Sequence, residues 1–300
     1  MTHGAENRDE DKRICISPRV SCAFVAALTV VALIGAPTLA HAQNAGIVSE
    51  HRDVDNDGDK DAADLAKQLS NPVSSLISVP FQFNWDTGIG PKDADAITLN
   101  IQPVFPFKLN EDWNLISRTI VPVRWRDTPA DRIDSTFGLG DTVQSLFLSP
   151  DAPVGGWILG AGPVALLPTA TDSAFQGRQL GLGPTAVGLR QHGGWTYGLL
   201  ANHLWGVTNP DDRDPVNATY LQPFVSYTTQ SATTFVLLTE STYDWHAQQW
   251  TVPINAAVSQ LVTIGEQHVS FQLGGRVYLE KPDGGPDWGL RAAATFLFPK

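Results

Sequence analysis

The stretch I-S-V-P-F-Q-F-N-W, Ile77 to Trp85, alternates without a break: Ile77, Val79, Phe81, Phe83 and Trp85 share one face, and Ser78, Pro80, Gln82 and Asn84 the other. Successive side chains of a strand point to opposite faces, so one surface is apolar and the other polar. The next segment repeats the pattern. Ile97, Leu99, Ile101, Phe105 and Phe107 lie on one side and Thr98, Asn100, Gln102 and Lys108 on the other, with Pro103 and Pro106 interrupting the ladder. Weaker alternation follows at Trp113 to Trp125, Phe137 to Leu148, Trp157 to Leu167, Leu180 to Arg190, Trp195 to Trp205, Ala218 to Tyr227, Thr233 to Thr242, Trp250 to Val262, Val269 to Leu279 and Trp288 to Phe298. Most segments are about ten residues, the length of a tilted strand crossing a bilayer.

Connector lengths separate a membrane barrel from a soluble sandwich. Outer-membrane barrels have short periplasmic turns and longer outer loops. Polar connectors such as T-G-I-G-P-K-D-A-D, R-D-T-P-A-D-R, T-A-T-D-S-A-F-Q-G-R, V-T-N-P-D-D-R-D-P-V, Y-D-W-H-A-Q-Q and E-K-P-D-G-G-P-D read as the long set. L-N-E-D, S-P-D-A-P-V-G, Q-H-G-G, T-T-Q-S-A and T-I-G-E-Q read as tight turns alternating with them. Trp113, Trp157 and Trp195 follow tight turns, Trp85, Trp125, Trp205, Trp250 and Trp288 flank long loops, and Trp245 falls within a loop. Amphipathic rings gather at lipid-water boundaries, so these positions predict two aromatic girdles; the alternative is aromatic capping of a soluble sandwich core. The expected fold is all-β: a transmembrane antiparallel up-and-down β-barrel of about 12 strands, with both ends of the barrel on one side of the membrane.

Three segments are predicted: a signal peptide over residues 1–42, an acidic periplasmic segment over 43–72, and an outer-membrane barrel over 73–300. The apolar run S-C-A-F-V-A-A-L-T-V-V-A-L-I-G-A follows Lys12, Arg13 and Arg19 and leads to Ala40-His41-Ala42, a small-x-small cleavage pattern. It is short for a membrane anchor and has no basic flank after it, although Glu6, Asp9, Glu10 and Asp11 make its leading region unusually acidic. Cys15 and Cys22 both fall inside it, leaving the mature chain without a thiol. A formal net charge of -11 disfavours nucleic acid as a partner. The expected partners are the outer-membrane bilayer, the barrel-assembly machinery and a small-molecule solute.

D-V-D-N-D-G-D-K-D-A-A-D places Asp53, Asp55, Asp57, Asp59, Asp61 and Asp64 at positions 1, 3, 5, 7, 9 and 12 of a calcium loop, with Gly58 at position 6. Asp64 is shorter than the usual bidentate glutamate, and Lys60 replaces the docking hydrophobe, so the alternatives are weak calcium binding and a solvated acidic linker. The following A-A-D-L-A-K-Q-L-S-N-P reads as a short helix stopped at Asn71-Pro72, either a plug or a tether.

Within the barrel, Arg118 and Arg124 share a parity with Asn114, and Arg276 with Ser270 and Gln272; Arg291 opposes Leu290 and Phe296, and Glu240 opposes Phe235 and Leu237. A lipid-facing arginine at mid-membrane costs roughly 2–4 kcal/mol, which predicts that these five point into the lumen. They either select solutes by charge or pair to brace a narrow barrel. Asp141 is an exception on the face of Phe137, Leu139, Val143 and Phe147, accounted for by a bulge or a misassigned face. A surface hydrolase using the 240–246 loop, E-S-T-Y-D-W-H, is a further alternative, whereas N-H-L-W at Asn202 to Trp205 lacks the serine of the H-x-S-N-G outer-membrane phospholipase motif. Neither G-L-G-D at Gly138 to Asp141 nor L-G-L-G-P at Leu180 to Pro184 opens a helix as a phosphate loop would.

The stretches S-L-I-S-V-P-F-Q-F-N-W-D-T-G-I-G-P, L-N-I-Q-P-V-F-P, N-E-D-W-N-L-I-S-R-T-I, F-G-L-G-D-T-V-Q-S, Tyr220-Leu221-Gln222-Pro223-Phe224, S-T-Y-D-W and L-F-P-K resemble a family of bacterial outer-membrane proteins labelled "transporter", "MetA-pathway of phenol degradation" or, in error, "neuromedin U". The resemblance spans roughly residues 65–300 and implies a porin-like channel or transporter without catalytic residues; one label points to aromatic or hydrophobic solutes. The alternative is a structural, non-conducting barrel. Trp288, Leu290, Ala292, Ala294, Phe296 and Phe298 line one face of the last segment, like the terminal signal by which such barrels are recognised for assembly.

Overall fold

The computed structural model describes residues 56–175, 179–208 and 214–299. The proposed signal peptide, Asp53 and Asp55 lie outside the described residues. A helix, α1 (Asn56–Leu69), precedes fifteen strands. These are β1 (Ile77–Ile89), β2 (Ala94–Ile101), β3 (Val104–Lys108), β4 (Trp113–Arg126), β5 (Thr136–Leu139), β6 (Thr142–Pro150), β7 (Ile158–Leu167), β8 (Gly181–His192), β9 (Trp195–Gly206), β10 (Asn217–Thr228), β11 (Thr233–Thr239), β12 (Ser241–Asp244), β13 (Gln249–Ile264), β14 (Gln267–Glu280) and β15 (Trp288–Phe298). All pairings are antiparallel, and β1 meets β15 from Ile77↔Phe298 to Thr87↔Trp288, closing the sheet on itself. Three crossings are interrupted (β2/β3, β5/β6, β11/β12), so the fifteen strands make twelve traverses of one barrel.

Each interruption has its own cause. Between β2 and β3 the ladder lapses at Gln102 and Pro103, yet the register against β4 runs on, from Ile101↔Val121 to Val104↔Arg118. Parity therefore survives, and Phe105 and Phe107 stay on the outer face. Between β5 and β6 the register against β4 slips by one residue, from Val123↔Leu139 to Ile120↔Val143. This is a β-bulge at Gly140-Asp141, and it turns the strand over. Phe137 is 72% exposed to the outside while Phe147, of the same parity, is 0% exposed in the interior. The bulge accounts for the anomalous parity of Asp141. The third break, at Glu240, preserves register against β13, from Thr239↔Ile254 to Thr242↔Thr251.

The outer surface carries the aromatic residues. Trp113, Trp157, Trp195, Tyr197 and Tyr227 ring the short-turn end, with Trp195 and Tyr227 centroids 5.0 Å apart. Trp85, Trp205, Tyr243, Trp250 and Trp288 lie at the other end, where Trp85 and Trp288 meet edge to face at 5.3 Å. Trp245 folds back from its turn to join them, its indole N–H donating to Thr219 Oγ1 at 2.8 Å.

Strict alternation of connector lengths does not hold. β1 and β2 extend until only Gly90–Asp93 remain between them, and β12 and β13 until only Trp245–Gln248 do. Asp93 and Gln248, with φ of 51° and 53°, close these turns in the left-handed region. Continued pairing such as Asp244↔Gln249 consumes residues that read as loop by polarity. Conversely, S-P-D-A-P-V-G at 149–155, read as a tight turn, runs into a longer connection over 151–157 with a Val154↔Trp157 bridge.

The interior holds two apolar clusters. Val73, Ile116, Phe147, Val187, Leu189 and Leu200 form one, with Val104, Ile158, Tyr220 and Phe224 packed against it. The other joins α1 to the short-turn end of the barrel: Ala66 and Leu76 pack with Ala232, Leu261 and Leu297, flanked by Ala62, Leu65 and Leu69. Positions 62, 65, 66 and 69 recur at helical spacing and form one apolar stripe, while Asp61, Asp64 and Gln68 are exposed. Gln191 Nε2 donates to Lys67 O at 3.0 Å. The helix thus sits in the short-turn mouth as a plug. After it, Val73 N–H donates to Asn71 Oδ1 at 3.0 Å, an Asx turn that redirects the chain into β1.

Candidate functional site

The charged residues of the strands converge on the lumen, and the structure divides them into two groups. The first lies on β14, β15 and β1. Arg276 donates from Nε to Asp86 Oδ1 at 2.6 Å and forms an ion pair through Nη2 with Asp86 Oδ2. Tyr278 OH donates to the same carboxylate at 3.1 Å. Gly289 on β15 is the cross-strand partner of both Asp86 and Arg276. A Cβ there would lie 2.5 Å from Asp86 Oδ1 and 3.2 Å from Arg276 Nε, so the pair spans β15 only because residue 289 has no side chain.

Beside it, Arg291 donates from Nε to Asn84 Oδ1 at 2.8 Å and reaches Glu240 bidentately, at 2.6 Å from Nη2 and 3.3 Å from Nη1. Arg291 is 5% exposed and Asn84 2%. The break between β11 and β12 sets Glu240 opposite Pro253, a residue with no backbone N–H for a ladder bond. The bond from β15 to Glu240 crosses the lumen side of β13 and β14. A bidentate, buried, hydrogen-bonded pair is the geometry in which attraction best offsets desolvation.

The second group lies on β4. Arg118 donates to Gln102 Oε1 at 3.2 Å, and Arg124 Nη1 donates to Phe175 O at 3.3 Å. Phe175 belongs to the 168–180 connection, whose residues Ala170 and Phe175 are buried. This connection is anchored at the bulge, where Ala170 N–H donates to Asp141 Oδ1 at 2.9 Å and Thr169 Oγ1 meets Thr142 Oγ1 at 2.8 Å.

All five residues expected in the lumen, Arg118, Arg124, Glu240, Arg276 and Arg291, face inward, and Arg291 and Glu240 meet each other. Asn84, from the polar face of β1, belongs to the same constellation, as do Asp86, Tyr278 and Arg126, which lie outside the predicted set. The parity of Gln82 and Asn84 carried two residues further reaches Asp86, and that of Arg118 and Arg124 reaches Arg126. Asp86 stands between the alternating run that ends at Trp85 and the polar connector that begins at Thr87, so neither segment includes it.

The 240–246 stretch does not gather as a catalytic group. Glu240 points inward to Arg291, whereas Ser241 lies on the opposite face with its Oγ 2.6 Å from Thr239 Oγ1. Asp244 Oδ1 accepts the backbone N–H groups of His246 and Ala247, each at 2.9 Å, as a turn cap. His203 Nδ1 meets Thr219 Oγ1 at 2.8 Å and its ring lies 4.2 Å from that of Trp205, within the outer girdle. Of the calcium-loop residues, Asp57, Asp59, Asp61 and Asp64 fall on α1, where the backbone is helical from Asn56 rather than looped. Among the described residues no group of three His, Cys, Asp or Glu is placed to hold a metal ion.

No known protein-family profile matches the chain, and no curated protein does. Solved structures do. An outer membrane channel from Pseudomonas putida F1 superposes with a TM-score of 0.60 at 16% identity, covering 76% of this chain and 96% of that one. The fold is that of an outer-membrane β-barrel. Outer membrane phospholipase A from Escherichia coli is a more distant likeness, with a TM-score of 0.46 at 14% identity over 81% of this chain and 98% of that one.

Proposed function

We propose that the chain is an outer-membrane channel passing small solutes through its lumen, with the short-turn end in the periplasm and the long loops outside. The observation that carries this reading is the lumen lining: ion-paired arginines on one arc and apolar side chains on the other, both inside one closed barrel. A two-faced lining suits solutes with an apolar body and a polar group, including aromatic and other hydrophobic compounds. The likeness to a protein described as an outer membrane channel supports the same reading. The separation of Glu240, Ser241 and His246 gives the hydrolase reading no support.

One observation favours the structural alternative: α1 and the cluster around Phe147 fill much of the short-turn half. Passage therefore requires α1 to shift. Reconstitution in planar bilayers and liposomes tests this, using the wild type and Leu65→Asp, which places a carboxylate on the apolar stripe of α1. The expected result is a small wild-type conductance and a severalfold larger one in the variant. If neither passes ions or any solute tried, the channel reading fails and the non-conducting barrel stands.

A further inference from the structure

The lumen arginines differ in whether an acid meets them. Arg276 has Asp86 and Arg291 has Glu240. On β4, Arg118, Arg124 and Arg126 point the same way, and among the described residues none of them forms an ion pair. Arg118 hydrogen-bonds only the neutral Gln102, with Glu240 within electrostatic reach but not paired to it, and Arg124 hydrogen-bonds only a backbone carbonyl. The Nε atoms of both Arg124 and Arg126 are buried without a hydrogen-bond partner. The surrounding wall covers these Nε atoms, so an incoming carboxylate is met by the terminal Nη groups of the two arginines, both of which remain partly exposed.

Neighbouring strands place no acid directly opposite these arginines. Arg126 lies across from Ala96 on β2 and Thr136 on β5, and Arg124 across from Thr98 and Gly138. These are small or neutral residues, and none competes for the cation. Asp141 at the bulge acts electrostatically on Arg124, spends Oδ1 on the Ala170 N–H and keeps Oδ2 unpartnered. Arg124 and Arg126 are about 7 Å apart along the strand and Arg118 about 20 Å further toward the short-turn end. Just beyond Arg118 begin Ile116 and the apolar cluster with Phe147, Leu189 and Leu200.

We propose that β4 carries a binding track for small organic carboxylates with an apolar body, the head group held by Arg124 and Arg126 at the long-loop end and relayed past Arg118 to the apolar arc. The passage rests on the channel reading; the binding does not. In a narrow lumen with low-dielectric walls, unpaired positive charge is focused and raises the local concentration of anions.

Equilibrium dialysis of the purified full-length protein in detergent, with benzoate as probe and benzamide as its neutral counterpart, tests the site. Benzoate should bind saturably and benzamide should not displace it. The double variant Arg124→Gln/Arg126→Gln should weaken benzoate binding about tenfold or more, and added salt should weaken binding to the wild type. Lys92→Gln, at an exposed lysine outside the lumen, should change nothing. Equal binding of benzoate and benzamide, or unchanged affinity in the folded double variant, overturns the proposal. If the double variant does not fold, the wild type's discrimination between the two probes and its salt dependence decide alone. Binding without conductance would defeat the channel reading and leave the site, while conductance without binding would defeat the site and leave the channel.

Discussion

Two arcs of the barrel wall solve the same problem in opposite ways. From β14 through β15 to β1 the inward positions of the long-loop half include Arg276, Tyr278, Arg291, Asn84 and Asp86, and each cation meets an acid: Arg276 with Asp86, Arg291 with Glu240. From β4 through β9 the inward positions of the short-turn half include Ile116, Phe147, Val187, Leu189 and Leu200, packed together as in a soluble core. Outward faces are apolar on both arcs because lipid demands it. Only the inward positions are free to differ, so the difference shows what the lumen is built for rather than what the membrane requires. One arc gains its order from directional bonds and the other from close packing.

Substitution should expose this contrast most strongly at Arg291. Arg291→Met leaves Glu240 buried without its partner and should lower unfolding stability by about 3–5 kcal/mol, whereas Arg291→Met/Glu240→Leu should recover most of the loss. Urea titrations of the barrel folded in vesicles measure both; a double variant as unstable as the single one would show that the polar arc is not exchangeable for an apolar one. On the packed arc, Ile116→Val removes one methylene from a residue 1% exposed and should cost about 0.5–1.5 kcal/mol by the same titration. A negligible change would mean that this arc is loosely filled. Smallest is Lys92→Gln, at an ion pair with Asp131 whose side chains are 46% and 89% exposed. Solvent screening should hold its effect within about 0.5 kcal/mol, and a larger loss would place unexpected weight on the rim.

The same contrast explains what could be read from the residues alone. Alternation located every traverse because one face always meets lipid, and it was cleanest in β1, where the inward residues are polar. In β7, I-L-G-A-G-P-V-A-L-L, both faces are apolar and the period nearly vanishes. A parity argument that equates inward with polar finds Arg276 and Arg291 but passes over Leu189 and Phe147. Polarity also misplaces the ends of strands, since residues paired beyond the apolar band look like loop; Thr87 to Ile89 of β1 read that way. The bulge at Gly140-Asp141 was visible only as an inconsistency of face. Whether the helix before the barrel plugs or merely tethers depends on contacts with Ala232, Leu261 and Leu297, residues far off in sequence.

The link from α1 to β1 is short, residues 70–76, and β1 is fixed in the closed sheet by β15 and β2. At roughly 3.4 Å per residue, the end of a displaced α1 stays within about 24 Å of the start of β1. The helix therefore behaves as an intramolecular ligand whose effective concentration at the mouth is of millimolar order, set by the leash and not by how much protein is present. Dilution cannot release it. Any agent that clears the mouth must compete with a stopper the chain always carries, and once that agent departs the stopper returns without a search.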